Sequence, residues 1–186
     1  AGFEANVEDA LSFLVHNHLP GDEVFVFGFS RGAATARALT RFLDWSGGLP
    51  AKGDAYYLPR FFRQYLDSRG AVSAAEVRRA IDADRAAEPR PKEPLGPFQR
   101  VDIAFLGVWD TVMALGSRFR AAGESTSTAS RSFHVGARPA DCVRHARQAL
   151  AIDEARYDFR PEVWTDRQPH QTLEQRWFAG VHSNVG

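Results

Sequence analysis

The chain has 186 residues, 23 basic and 23 acidic side chains, and a 44% hydrophobic fraction. Balanced charge gives no electrostatic footprint for nucleic acid, and the composition is that of an ordinary globular domain. The single cysteine, Cys142, excludes an intramolecular disulfide and the paired-cysteine zinc patterns. No apolar run is long enough to span a bilayer, and no signal peptide or other targeting segment is visible.

In chain order, residues 7–16 predict an amphipathic helix with Val7, Ala10, Leu11, Leu14 and Val15 on one face. Leu19-Pro20-Gly21-Asp22 has turn chemistry. Residues 23–27 are short and nearly all apolar, as in a strand buried on both faces of a parallel sheet. Residues 31–45 predict a helix, stopped by Gly47, Gly48 and Pro50. Residues 51–100 differ in character. An aromatic, Arg-containing stretch leads to Ser73-Ala74-Ala75-Glu76, a capping box that opens a helix to about Ala87. The proline-rich run 89–94 fits no regular element. This stretch is expected to be a helical insertion between two core strands.

Residues 101–109 predict the next strand, 116–139 a long polar loop, 141–154 a third helix and 176–181 a third strand. The proposed third helix would place Val143, Ala146, Ala149 and Leu150 on one side. Helices alternating with short buried strands predict an α/β fold around a mostly parallel sheet flanked by helices.

Gly28-Phe29-Ser30-Arg31-Gly32 lies between a predicted strand and a predicted helix, where a nucleophile elbow must sit. There the serine takes a strained conformation that lifts its hydroxyl above the sheet. Gly28 and Gly32 would let strand and helix pass closely, and Ala33, Ala34, Ala36 and Ala38 would keep the helix slim. The Arg31 backbone N–H would face a developing oxyanion as one of two donors. An ordinary tight turn is the competing reading.

A serine nucleophile needs a base, and the base an orienting acid. Asp110 ends the strand VDIAFLGVW, which puts it on the same sheet edge as Ser30. Asp153 and Asp158 are later alternatives, and Asp102 suits the opposite end of the sheet. His182 follows RWFAGV in a Gly-containing turn, another carboxyl-edge position. His16 and His18 precede the serine, His145 falls in the predicted third helix, and His134 and His170 fall in polar stretches. No metal-ligand spacing or cofactor signature is present. Tyr56, Tyr57, Phe61 and Phe62 suit a lid or acyl-chain wall at a lipid interface, with peripheral membrane contact, or equally a helix packed on a core.

GDEVFVFGFSRGAATAR, FLGVWDTV, RQALAIDEARYDFRP and WFAGVHSNVG occur in this order. Together they resemble the type VI secretion lipase-effector family of α/β-hydrolase domains. The resemblance implies a serine phospholipase or related esterase, with small-ester esterase, thioesterase and a non-catalytic binding module as rival readings. It places the nucleophile on Ser30, the acid on Asp110 and the base on His182. It also implies amino-terminal strands and an Asp-Gly-Thr segment upstream of this sequence, and 1–186 as a partial domain. The second oxyanion donor is expected from that upstream region, so the piece alone is expected to be poorly active. A phospholipid or other ester substrate, a delivery or immunity partner, and a bacterial cytoplasmic origin followed by export to target cells are further implications. Asn184 stands where the family often has aspartate.

Overall fold

Four short strands pair side by side in chain order, all parallel: β1 (Val24–Phe29), β2 (Ile103–Trp109), β3 (Val143–Ala151) and β4 (Thr172–Phe178). The computed structural model describes residues 2–113 and 135–186. The chain divides into two compact units, one of Ala1–Asp22 with Phe42–Val101, the other of Glu23–Arg41 with Asp102–Gly186. The second unit holds the sheet. It is an α/β-hydrolase-like arrangement, and the first unit supplies the predicted helical insertion.

The sheet departs from the sequence reading in three places. β1 is not covered on both faces: Phe25 and Phe27 are 55% and 59% exposed, and exposure alternates along the strand. The apolar run therefore marks one packed face and one bare aromatic face. The helix expected over 141–154 is instead strand β3, bonded to β2 on one side and β4 on the other. Ala, Gln, Arg and Leu are good helix formers, so local propensity points to a helix; the two flanking ladders override it. Its buried Ala146, Gln148 and Leu150 then alternate with more exposed neighbours, as a strand requires. The last strand starts at Thr172 and ends at Phe178, earlier at both ends than expected, which leaves 179–181 free to turn. The loop expected over 116–139 lies outside the described residues up to 134.

The helical unit is built from local periodicity. α1 (Phe3–Asn17) buries Val7, Leu11, Leu14 and Val15, the predicted face. A 3-10 turn (Lys52–Tyr57) leads into α3 (Leu58–Ser68), which buries Leu58, Phe61, Phe62 and Tyr65. Between them in sequence, α2 (Arg31–Ser46) gives its residues from Phe42 onward to this unit. Phe42 packs edge-on against Phe62 and Tyr65, each with ring centroids 5.5 Å apart. α3 ends on Arg69 in the left-handed region, with Arg69 N–H donating to Leu66 O and Gly70 N–H to Tyr65 O. That is the ordinary closure of a helix C-terminus. α4 (Ala74–Ala86) opens with the predicted capping box: Glu76 N–H donates to the Ser73 hydroxyl, and Ser73 N–H donates to the Glu76 carboxylate.

Candidate active site

The last paired residues of β1 and β2 are Phe29 and Trp109, so the next residues, Ser30 and Asp110, leave the sheet side by side. Both have positive φ, 57° and 42°. Left-handed backbone costs a non-glycine residue on the order of 1–3 kcal/mol, so such positions persist only where the surroundings hold them. Here Ser30 N–H donates to Trp109 O at 2.9 Å, and Asp110 N–H donates to Ala149 O at 2.8 Å. The left-handed turn at Ser30 reverses the chain straight into α2. Gly28 is required for this: a Cβ there would lie 2.4 Å from Gly32 O and 2.7 Å from Ala33 Cα. Gly32 differs from the sequence reading, since a Cβ there meets nothing within 4 Å. The close passage of strand and helix depends on the first glycine. Arg31 opens α2, so its N–H is among the first-turn amides that no intrahelical bond uses.

Asp110 is fully buried and its two oxygens are divided between two partners. Oδ1 accepts from Ala151 N–H at 3.1 Å, and Oδ2 meets His182 Nδ1 at 2.6 Å. A carboxylate only accepts, so Nδ1 carries the proton and Nε2 is left as the acceptor. His182 Nε2 lies 2.8 Å from Ser30 Oγ. The structure thus joins Ser30, His182 and Asp110, the three residues chosen from the sequence, in one hydrogen-bonded chain. The imidazole is 5% exposed. Phe29 stacks on it with centroids 4.7 Å apart, and Phe159 meets it edge-on at 4.9 Å. Thr111 anchors the turn after Asp110: its hydroxyl donates to Gln148 Oε1, and its carbonyl accepts from Glu162 N–H.

The other candidates are placed elsewhere. Asp153 accepts from Gly180 N–H, and Asp102 immediately precedes β2 at the far end of the strand from Asp110. His145 sits in β3 against Thr172 Oγ1, His170 against Asp141 O, His16 against Ser12 O and His18 against Gln99. His134 lies outside the described residues. Phe61 and Phe62 are buried inside the helical unit, Tyr57 is partly exposed and Tyr56 is 86% exposed. Among the described residues no group of three or more His, Cys, Asp or Glu is placed to hold a metal ion, and no helix is long and apolar enough to cross a membrane.

Two features escaped the sequence reading. Arg37 is 1% exposed in α2, seven residues past Ser30. Its guanidinium donates to Val135 O, Gly136 O and Glu162 O and lies over the Trp164 ring, 4.3 Å from the centroid. Burial pulls its pKa down to about 9, against a rise from Glu162 and a further drop from Arg41. It stays protonated at neutral pH and ties the elbow helix to two distant segments. The second is a groove of about 330 Å³ over the sheet, lined by Phe105, Trp109, Ala149, Arg176 and Phe178 among others. No sequence signal marks either one, because both depend on residues far apart in the chain.

No curated protein matches this chain. A solved structure of the Tle1 effector bound to the VgrG spike from the Type 6 secretion system is similar over 98% of this chain, at 24% identity and a TM-score of 0.42. This chain spans 29% of the length of that one. The family described as "T6SS, Phospholipase effector Tle1-like, catalytic domain" matches residues 1–186. The chain belongs to that family.

Proposed function

We propose that the chain is a serine ester hydrolase acting on phospholipids. The observation that carries this reading is the chain Ser30 Oγ, His182 Nε2, His182 Nδ1, Asp110 Oδ2, with Ser30 raised on a left-handed turn. His182 takes the Ser30 proton as Oγ attacks the ester carbonyl. Asp110 holds the tautomer and stabilises the imidazolium. The Arg31 N–H donates to the oxyanion, with a second donor from the upstream region named above. His182 then returns the proton to the leaving alcohol, and water releases the acyl group by the same steps in reverse roles. Tyr56 is the exposed aromatic of the 56–62 stretch and is available to a lipid surface. Family membership supports a phospholipid over a small ester, and supports export with a delivery partner.

The test is covalent labelling of the full-length protein with a fluorophosphonate. Labelling that disappears in Ser30→Ala is the expected result, with fatty acid released from phospholipid vesicles by the parent and not by the variant. A folded parent protein that takes no label would overturn the reading in favour of a binding module. Label without release from vesicles, but with hydrolysis of short esters, would move the substrate class to small esters.

A further inference from the structure

Three successive backbone N–H groups at the turn into His182 are each taken by a side-chain oxygen. Gly180 N–H donates to Asp153 Oδ2 at 2.6 Å, Val181 N–H to Asn184 Oδ1 at 3.0 Å, and His182 N–H to Glu154 Oε2 at 3.2 Å. Asp153 also donates its own N–H to Gly180 O at 3.1 Å. These amides follow β4 and open a single helical turn (His182–Val185), so neither ladder nor helix would otherwise fasten them. Gly180 is needed there: its φ is 115°, and a Cβ would lie 2.7 Å from Asn184 Cβ.

Glu154 is itself fixed. Its side chain is 2% exposed and accepts from Arg156 N–H, Nε and Nη2 at 2.8, 2.8 and 2.7 Å. The Arg156 guanidinium lies over Phe159, 3.8 Å from the centroid, and Phe159 packs against the imidazole. The contacts therefore close a ring: His182 backbone, Glu154, Arg156, Phe159, His182 side chain. Asp110 alone holds one ring nitrogen but does not set where the backbone stands.

We propose that Asp153 and Glu154 are positioning residues for His182, fastening its backbone so that Nε2 meets Ser30 Oγ. This rests on the reading of His182 as the base. Neither carboxylate is bonded to Ser30 or to the imidazole, so their action runs through placement. Misplacing a reacting group by about 1 Å can cost about 10²-fold in rate.

The test uses the full-length protein and a 4-nitrophenyl ester. Glu154→Ala should lower kcat about 10- to 100-fold with KM within about twofold, and Glu154→Gln and Asp153→Asn, which keep volume and an acceptor oxygen, should lose less. Each substitution is repeated in His182→Ala. There Glu154→Ala should cause no further loss, because the group it positions is gone. An unchanged kcat in folded Glu154→Ala overturns the proposal, and so does an equal loss in the His182→Ala background, which would mark a purely structural role. If Glu154→Ala does not fold, the same comparison with Glu154→Gln decides. Failure of the serine-hydrolase reading is separate: it would appear as undiminished hydrolysis in Ser30→Ala.

Discussion

The two units of this chain keep different things inside. The helical unit buries aromatic and aliphatic side chains, with Phe42, Phe61, Phe62 and Tyr65 at its centre and Ser46 as its buried polar residue. The sheet unit buries Arg37, Thr40, Asp110, Thr111, Gln148, Gln171 and His182. Buried polar groups each demand a partner, and an unpaired one costs about 1–3 kcal/mol. The sheet unit accepts that demand where it needs oriented groups, while the helical unit avoids it. Left-handed backbone divides the same way: at Arg69 it closes a helix, and at Ser30 and Asp110 it directs side chains to His182. Polar burial and left-handed backbone coincide at the candidate site.

That contrast can be broken by substitution. Asp110→Asn should leave the protein folded and lower kcat by about 10⁴-fold, as the wrong tautomer does in other triads; ester turnover with a circular-dichroism melt checks it. Arg37→Met should instead cost about 3–5 kcal/mol of stability, since the carbonyls of Val135, Gly136 and Glu162 lose a charged donor; denaturant titration reads it. Phe62→Ala in the helical unit should cost a similar ~3–5 kcal/mol and leave kcat of the folded fraction within about twofold. A changed KM there would break the contrast by giving Phe62 a role at the substrate. Gly28→Ala should cost about 2–3 kcal/mol through the clash with Gly32 O, whereas Gly32→Ala should be neutral or stabilise by up to about 1 kcal/mol. Thermal melts of the pair sharpen which glycine the elbow needs.

The smallest effect concerns pH. The Arg156 guanidinium, with the Arg156 and His182 backbone N–H groups, holds the Glu154 carboxyl at about 2 against an ordinary 4.5. A depressed carboxylate contributes stability above its unfolded value and loses it as pH falls through its folded value. The stability difference between the parent and Glu154→Gln should therefore be flat from about pH 5 to about pH 9 and close only below about pH 4.5. A difference that changes near neutrality would show that another group sets it.

The sequence exposes the elbow and its partners because each sits at a junction. Ser30 and Asp110 follow short apolar runs that read as strands, His182 follows the strand candidate 176–181, and in a parallel sheet all such ends share one edge. β3 is hidden for the opposite reason. Val143, Ala146, Ala149 and Leu150 match helical spacing, and only the ladders to β2 and β4 reveal the alternation of period two. Arg37 is hidden because an arginine on an alanine-rich helix reads as solvent-facing; its acceptors at Val135 and Glu162 lie 98 and 125 residues away. Glu154 was visible only as the end of a helix that is not there. What is local in the chain could be read from it, and what depends on distant partners could not.

Ser30 and His182 are separated by 152 residues and Asp110 and His182 by 72, yet they meet through two hydrogen bonds. Contacts of such long separation carry a loop-closure cost that the rest of the sheet must offset. The proposed chemistry therefore depends on the assembled sheet. Ser30 is synthesised 152 residues before His182, so a nascent chain that stops short of His182 lacks the proposed base. On the serine-hydrolase reading proposed above, turnover would report that β4 has joined the sheet and brought His182 to Ser30.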